Sequence, residues 1–144
     1  MTGAESPNLT GDQVAVGDRI PDLVVEITPT LIVAGAMASR DFQDVHHDRD
    51  LARQRGSRDI FMNILTPNGL VGRYVTAWAG PEALLQRVAI RLGAPNYPYD
   101  TMTLSGVIVA KDGEQVTVEI VGRNGLGDHV TGTVDLRLAH RGEA

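Results

Sequence analysis

At 144 residues the chain is long enough for one domain with a real core and too short for two. A formal net charge of -5 argues against nucleic acid or an anionic membrane as the main partner, and the absence of cysteine excludes disulfides, zinc–thiolate sites and a thiol nucleophile. No basic region followed by an apolar run opens the chain, and no apolar stretch approaches the ~18 residues of a membrane span, which predicts a cytoplasmic protein.

Residues 1 to about 13 are small and polar (Thr2, Gly3, Ser6, Pro7, Asn8, Gly11) and read as a flexible N-terminus. Residues 14–140 form the single domain, and residues 141–144 a flexible C-terminus. Val16 to Pro21 reads as a turn, Leu23 to Thr28 as a short strand, and Thr30 as the cap of a small-residue helix from Leu31 to about Arg40. A polar helical turn from about Asp48 to Gln54 closes at Gly56. Thr66 and Pro67 are a helix-start signal, because proline lacks an N–H that the first turn leaves unpaired anyway. From there Leu70, Val71, Tyr74, Val75 and Trp78 recur at helical spacing until Gly80-Pro81, and Tyr74 and Trp78 are read as core.

The last third is strand: Leu84 to Leu92, Thr101 to Ala110, Gln115 to Val121 and Val130 to Leu138. Turns are expected at Gly93–Asp100, at Asp112-Gly113 and at Asn124–Asp128. One strong helix followed by antiparallel strands predicts α+β, with the sheet wrapped around the Thr66–Trp78 helix. A sheet so built has an edge that dimerisation would protect.

The segment Ser39 to Asp48 carries the chemistry. Asp41 and His46 lie five positions apart, whereas neighbours on one helical face lie three or four apart. They converge only if the chain between them bends, and a short irregular loop aiming a carboxylate and an imidazole at one spot is an acid–base site. The alternative is a pair of solvated loop charges. His47 and Asp48 invite a metal or His-Asp phosphohydrolase reading, but adjacent residues point apart and only His129 and His140 remain elsewhere, so no metal site is expected. His129 reads as structural or as a surface group. Arg53, Arg55 and Arg58 make a small basic cluster that fits either a phosphate contact or a solvated face. Gly17, Gly125 and Gly127 read as turn residues.

With these elements in place, the chain resembles the MaoC-like enoyl-CoA hydratases of the hotdog fold from about Val14 to Leu138. Their core motif is Asp-x-Asn-Pro-x-His, and Asp41-Phe42-Gln43-Asp44-Val45-His46 keeps both ends at the right spacing, with Gln43 for the Asn and Asp44 for the Pro. Val16–Pro21, Tyr97–Thr101 and Asn124-Gly125 match as well. More closely, Arg40–Asp50, Asp59–Thr66 and Val121–Val130 look like the small subunits of two-subunit bacterial hydratases of steroid side-chain degradation.

The resemblance implies a hotdog fold built as a dimeric unit and the addition of water across the double bond of a 2-enoyl-CoA to give a 3-hydroxyacyl-CoA. It assigns Asp41 as the water-activating base, with His46 orienting the water and relaying the proton to C2. Backbone N–H groups of Asn63 or Ile64, where the family often has Gly after a His, would face the thioester oxygen. Arg58 is the nearest candidate for CoA phosphate. No cofactor is implied beyond the CoA thioester itself. A second MaoC-like hotdog subunit is expected as partner, in a heterotetramer with two copies of each. With aromatic residues at 4%, the acyl pocket should be mainly aliphatic. A hotdog thioesterase and a non-catalytic partner subunit stand as the alternatives.

Overall fold

The computed structural model describes residues 8–140. The expectations for residues 1–7 and 141–144 fall outside them. Strands β1 (Arg19–Ile27), β2 (Leu84–Leu92), β3 (Asp100–Asp112), β4 (Gln115–Asn124) and β5 (Gly127–Arg137) form an antiparallel sheet in the order β1-β3-β4-β5-β2. Helices α1 (Pro29–Ala38), α2 (Arg49–Gln54) and α3 (Leu65–Ala79) lie in the first half of the chain, and the sheet wraps α3 in the hotdog arrangement.

Alternation on the central strands builds the core. Met102, Leu104 and Ile108 on β3, Val116, Val118 and Ile120 on β4, and Val130, Val134 and Leu136 on β5 are buried together with Val71, Tyr74, Val75 and Ala79 of α3. Each such aliphatic side chain contributes about 1.5–3 kcal/mol through the apolar surface it removes from water. Gly106 leaves room for the Tyr74 ring: a Cβ there would lie 3.3 Å from the ring edge. The Tyr74 hydroxyl donates to the Ile20 carbonyl (3.3 Å), and burial pushes its phenol up to about 12, so it remains a donor.

Several boundaries differ from the sequence reading. β1 begins at Arg19 and runs through Pro21, where the sequence predicts a turn. Proline is tolerated because β1 is an edge strand and its pairing with β3 breaks register between Ile20 and Leu23. Thr28, rather than Thr30, caps α1, accepting from the Leu31 N–H with Pro29 in the first helical position. α3 begins at Leu65, one residue before Thr66, with Pro67 still inside the first turn. Residues 8–13, read as part of a flexible end, are held: the Leu9 N–H donates to the Ala79 carbonyl and Thr10 bridges Ala139.

β2 pairs with β5 on one side and forms the edge of the sheet opposite β1. Leu84 and Leu85 at its start are exposed. No helix among the described residues is long and apolar enough to cross a membrane.

Candidate active site

Asp41 is placed by the way α1 ends. Arg40 adopts a left-handed backbone (φ 58°), its N–H donating to the Met37 carbonyl while the Asp41 N–H donates to the Ala36 carbonyl (2.9 Å). This is the Schellman pattern, normally built on glycine. With an arginine there it costs roughly 1–2 kcal/mol, and the chain turns sharply back along the helix. Ser39 helps close the end, its hydroxyl donating to the Gly35 carbonyl (2.7 Å).

The chain then makes a 3-10 turn at Asp44–His46, and Asp48 caps α2 by accepting from the Leu51 N–H (3.0 Å). His46 is buried, with its Nδ1 2.7 Å from the Phe61 carbonyl oxygen and its ring against the edge of the Phe61 ring (centroids 4.9 Å apart). The Phe61 N–H donates to the Val45 carbonyl, so residues 45–46 and 61 clamp each other. A carbonyl can only accept, so Nδ1 carries a proton and Nε2 of the neutral ring is bare. That Nε2 lies 3.4 Å from Asp41 Oδ2.

The five-residue spacing is therefore bridged by a bend, and the two side chains converge. The separation is long for a direct hydrogen bond, and two acceptors facing each other need a shared proton or a water bridging both from the side. Asp41 keeps 22% of its side-chain surface exposed and His46 8%, so the pair is reachable from solvent on one side.

Asn63 sits just before α3 and is 2% exposed. Its Oδ1 accepts from both the Thr66 N–H (3.3 Å) and the Thr66 hydroxyl (2.7 Å), while its Nδ2 donates to Ser39 Oγ (2.9 Å) and Asp41 Oδ2 (3.2 Å). Sequence reasoning valued Asn63 for its main chain and missed its side chain. The signal was there in the preference for asparagine at helix starts, applied instead to Thr66. The N–H groups of Asn63 and Ile64 meet no protein acceptor among the described residues and lie at the α3 N-terminus, where the helix field favours negative charge.

The arginines are dispersed in their contacts. Arg58 is exposed with its guanidinium 4.3 Å from the centre of the Tyr97 ring. Arg55 pairs with Asp44 (2.7 Å), and this hydrogen bond holds the Asp44 carboxyl below its ordinary range. Arg49 pairs with Asp59 (3.0 Å). His47 is exposed, and among the described residues no three metal-ligating side chains converge. His129 is buried, its Nδ1 2.7 Å from the Ala94 carbonyl oxygen and its Nε2 without a hydrogen-bond partner among the described residues. Burial in apolar surroundings lowers its pKa. A cavity of about 280 Å³ lined by Ile20, Leu23, Tyr74 and Trp78 lies between β1 and α3, and neither Asp41 nor His46 lines it.

No family model matches the chain. It is 58% identical over 123 residues to the 3-oxo-4,17-pregnadiene-20-carboxyl-CoA hydratase beta subunit of Mycobacterium tuberculosis, spanning 85% of this chain and 95% of that protein. It superposes on a chain of the crystal structure of the ChsH1-ChsH2 complex from Mycobacterium tuberculosis with a TM-score of 0.85 and 57% identity, covering 87% of this chain and 98% of that one. The unliganded R-hydratase PhaJ1 from Pseudomonas aeruginosa superposes with a TM-score of 0.86 over 93% of this chain and 88% of its own. At 17% identity that likeness speaks for the fold alone.

Proposed function

The chain belongs to the family of the 3-oxo-4,17-pregnadiene-20-carboxyl-CoA hydratase beta subunit, within the MaoC-like hotdog hydratases, and from that membership we propose that it is the Asp/His-bearing subunit of a heteromeric enoyl-CoA hydratase. Its substrate is a 2-enoyl-CoA carrying a steroid side chain, and its product the 3-hydroxyacyl-CoA. The partner is a second hotdog subunit, two copies of each making a heterotetramer. A CoA-thioester substrate puts the complex in the cytoplasm. Relatedness supports the substrate class and the partnership.

The observation that carries the reading is the 3.4 Å approach of His46 Nε2 to Asp41 Oδ2, with Nδ1 already committed to the Phe61 carbonyl. A water bridging the carboxylate and the bare ring nitrogen from the open side has both its protons accepted, which leaves an oxygen lone pair free to attack. Asp41 withdraws a proton as the oxygen bonds to C3. The π electrons move toward C2 and the thioester carbonyl, whose growing negative charge meets the N–H groups of Asn63 and Ile64. The withdrawn proton passes to His46 Nε2 and on to C2. One water is consumed, and the pair returns to its starting state. No cofactor is required, since the two side chains supply both proton transfers.

The open side of the site supports the need for a partner. Phe42, beside Asp41, is 63% exposed and Ile64, beside Asn63, is 50% exposed. A water-excluding acyl pocket needs these apolar surfaces covered. Arg58, exposed beside Tyr97, is the candidate contact for a CoA phosphate, since a guanidinium lying over a ring keeps its in-plane N–H donors.

The test is turnover of a steroid side-chain 2-enoyl-CoA by the purified complex in heavy-oxygen water. The expected product is a 3-hydroxyacyl-CoA carrying the label in its hydroxyl. Release of free CoA without that product would establish thioester cleavage instead.

A further inference from the structure

Taking the Asp41/His46 assignment as its premise, we infer that the side-chain amide of Asn63 is a positioning residue for Asp41, locking the carboxylate toward His46 by tying it to the first turn of α3. The orientation of that amide is fixed by its neighbours. The Thr66 backbone N–H can only donate, so the atom it meets must be Oδ1. The NH₂ group is thereby forced to face Ser39 and Asp41. Both acceptor sites of the oxygen and both donors of the nitrogen are used, so the group cannot turn without breaking several bonds at once.

The consequence for Asp41 is directional. Oδ2 receives the Asn63 donor on one side and faces His46 Nε2 on another, while Oδ1 lies 3.4 Å from the Gln43 N–H. Among the described residues His46 is the titratable group that meets this carboxylate, and the other contacts are neutral donors. The donor on Oδ2 fixes which carboxylate oxygen faces the ring. It also prevents the side-chain rotation that would carry Oδ2 away from the ring. Asn63 thus links two segments 22 positions apart through a side chain whose oxygen also accepts from the first turn of α3.

Capping and positioning are separable by substitution. Aspartate caps a helix as well as asparagine does, so N63D keeps an acceptor for Thr66 while turning an oxygen toward Asp41 where a donor stood. In the assembled complex, N63D should hold KM within about twofold, with some loss of melting temperature because two carboxylates now meet in a buried place. Its kcat should fall on the order of 100-fold, the cost of a misplaced catalytic group, and the acid limb of the kcat profile should move to higher pH because two carboxylates now compete for one proton. If N63D does not assemble, N63A carries the test, with the same fall in kcat at little-changed KM expected from loss of the tether. Parent-like kcat in the variant that assembles would overturn the positioning role. D41N reads the premise separately. A dead D41N beside a parent-like N63D removes the role of Asn63 alone, whereas a fully active D41N removes the premise and the role together.

Discussion

The Nδ1–H of His46 donates to the Phe61 carbonyl over 2.7 Å, so a main-chain atom fifteen residues downstream sets which ring nitrogen faces Asp41. Nitrogen-detected NMR of the histidine-labelled complex should therefore find neutral His46 as the Nδ1–H tautomer with Nε2 unprotonated. Observation of the Nε2–H tautomer would remove the proton acceptor from the place where the proposed water must sit.

The crossing of α1 and α3 is set by Gly35, where a Cβ would collide with Thr66 Oγ1, the hydroxyl bonded to Asn63. G35A gains up to about 1 kcal/mol of helix propensity, but overpacking costs about 1–3 kcal/mol and the displaced hydrogen bond about 1 kcal/mol more. Denaturant titration should show a net loss of stability, with hydration rate falling as Asn63 shifts. Because the clash is with the Thr66 side chain, G35A combined with T66A should be more stable than the sum of the two single changes implies. Simple additivity would mean that the helices do not meet there.

His129 titrates against stability. Burial lowers its pKa from the ordinary value of 6.5, which means the folded state prefers the neutral ring more than the unfolded chain does. The unfolded chain then binds more protons between the folded value and 6.5, so stability is full above 6.5 and declines as pH falls through that window. The orphaned Nε2 adds to this, since a proton placed there would have no acceptor. H129Q, which keeps a donor for the Ala94 carbonyl, should flatten the acid side of the melting-temperature profile. An unchanged slope would mean that the ring is solvated when protonated.

What was legible in the sequence followed from local chemistry. Alternation on β3, β4 and β5 and the 3.6-residue rhythm of Val71, Tyr74 and Val75 announce their buried faces directly. The Asp41–His46 spacing announced a bend, because no regular helix brings such a pair together. What stayed hidden depended on contacts distant in sequence. The Phe61 carbonyl is a main-chain group that every residue carries, so no residue type marks it. The Asn63 amide serves Asp41 across 22 positions, and the Thr66-Pro67 signal drew the helix start away from it. Pro67 fits two positions deeper, at the third helical position, because the first four N–H groups of a helix lack helical partners, not one. Likewise Pro21 signals a turn only where a strand must pair on both sides, and β1 is an edge.

The central claim is that Asp41 and His46 work as one unit on one water. The direct measurement is kcat/KM for hydration by the assembled complex carrying D41N, H46Q or both, with assembly verified for each. Groups acting as a unit are strongly non-additive, so each single change should abolish most of the activity and the double variant should be little worse than either. Retention of hydration by both single variants, or losses that simply multiply in the double, would contradict it.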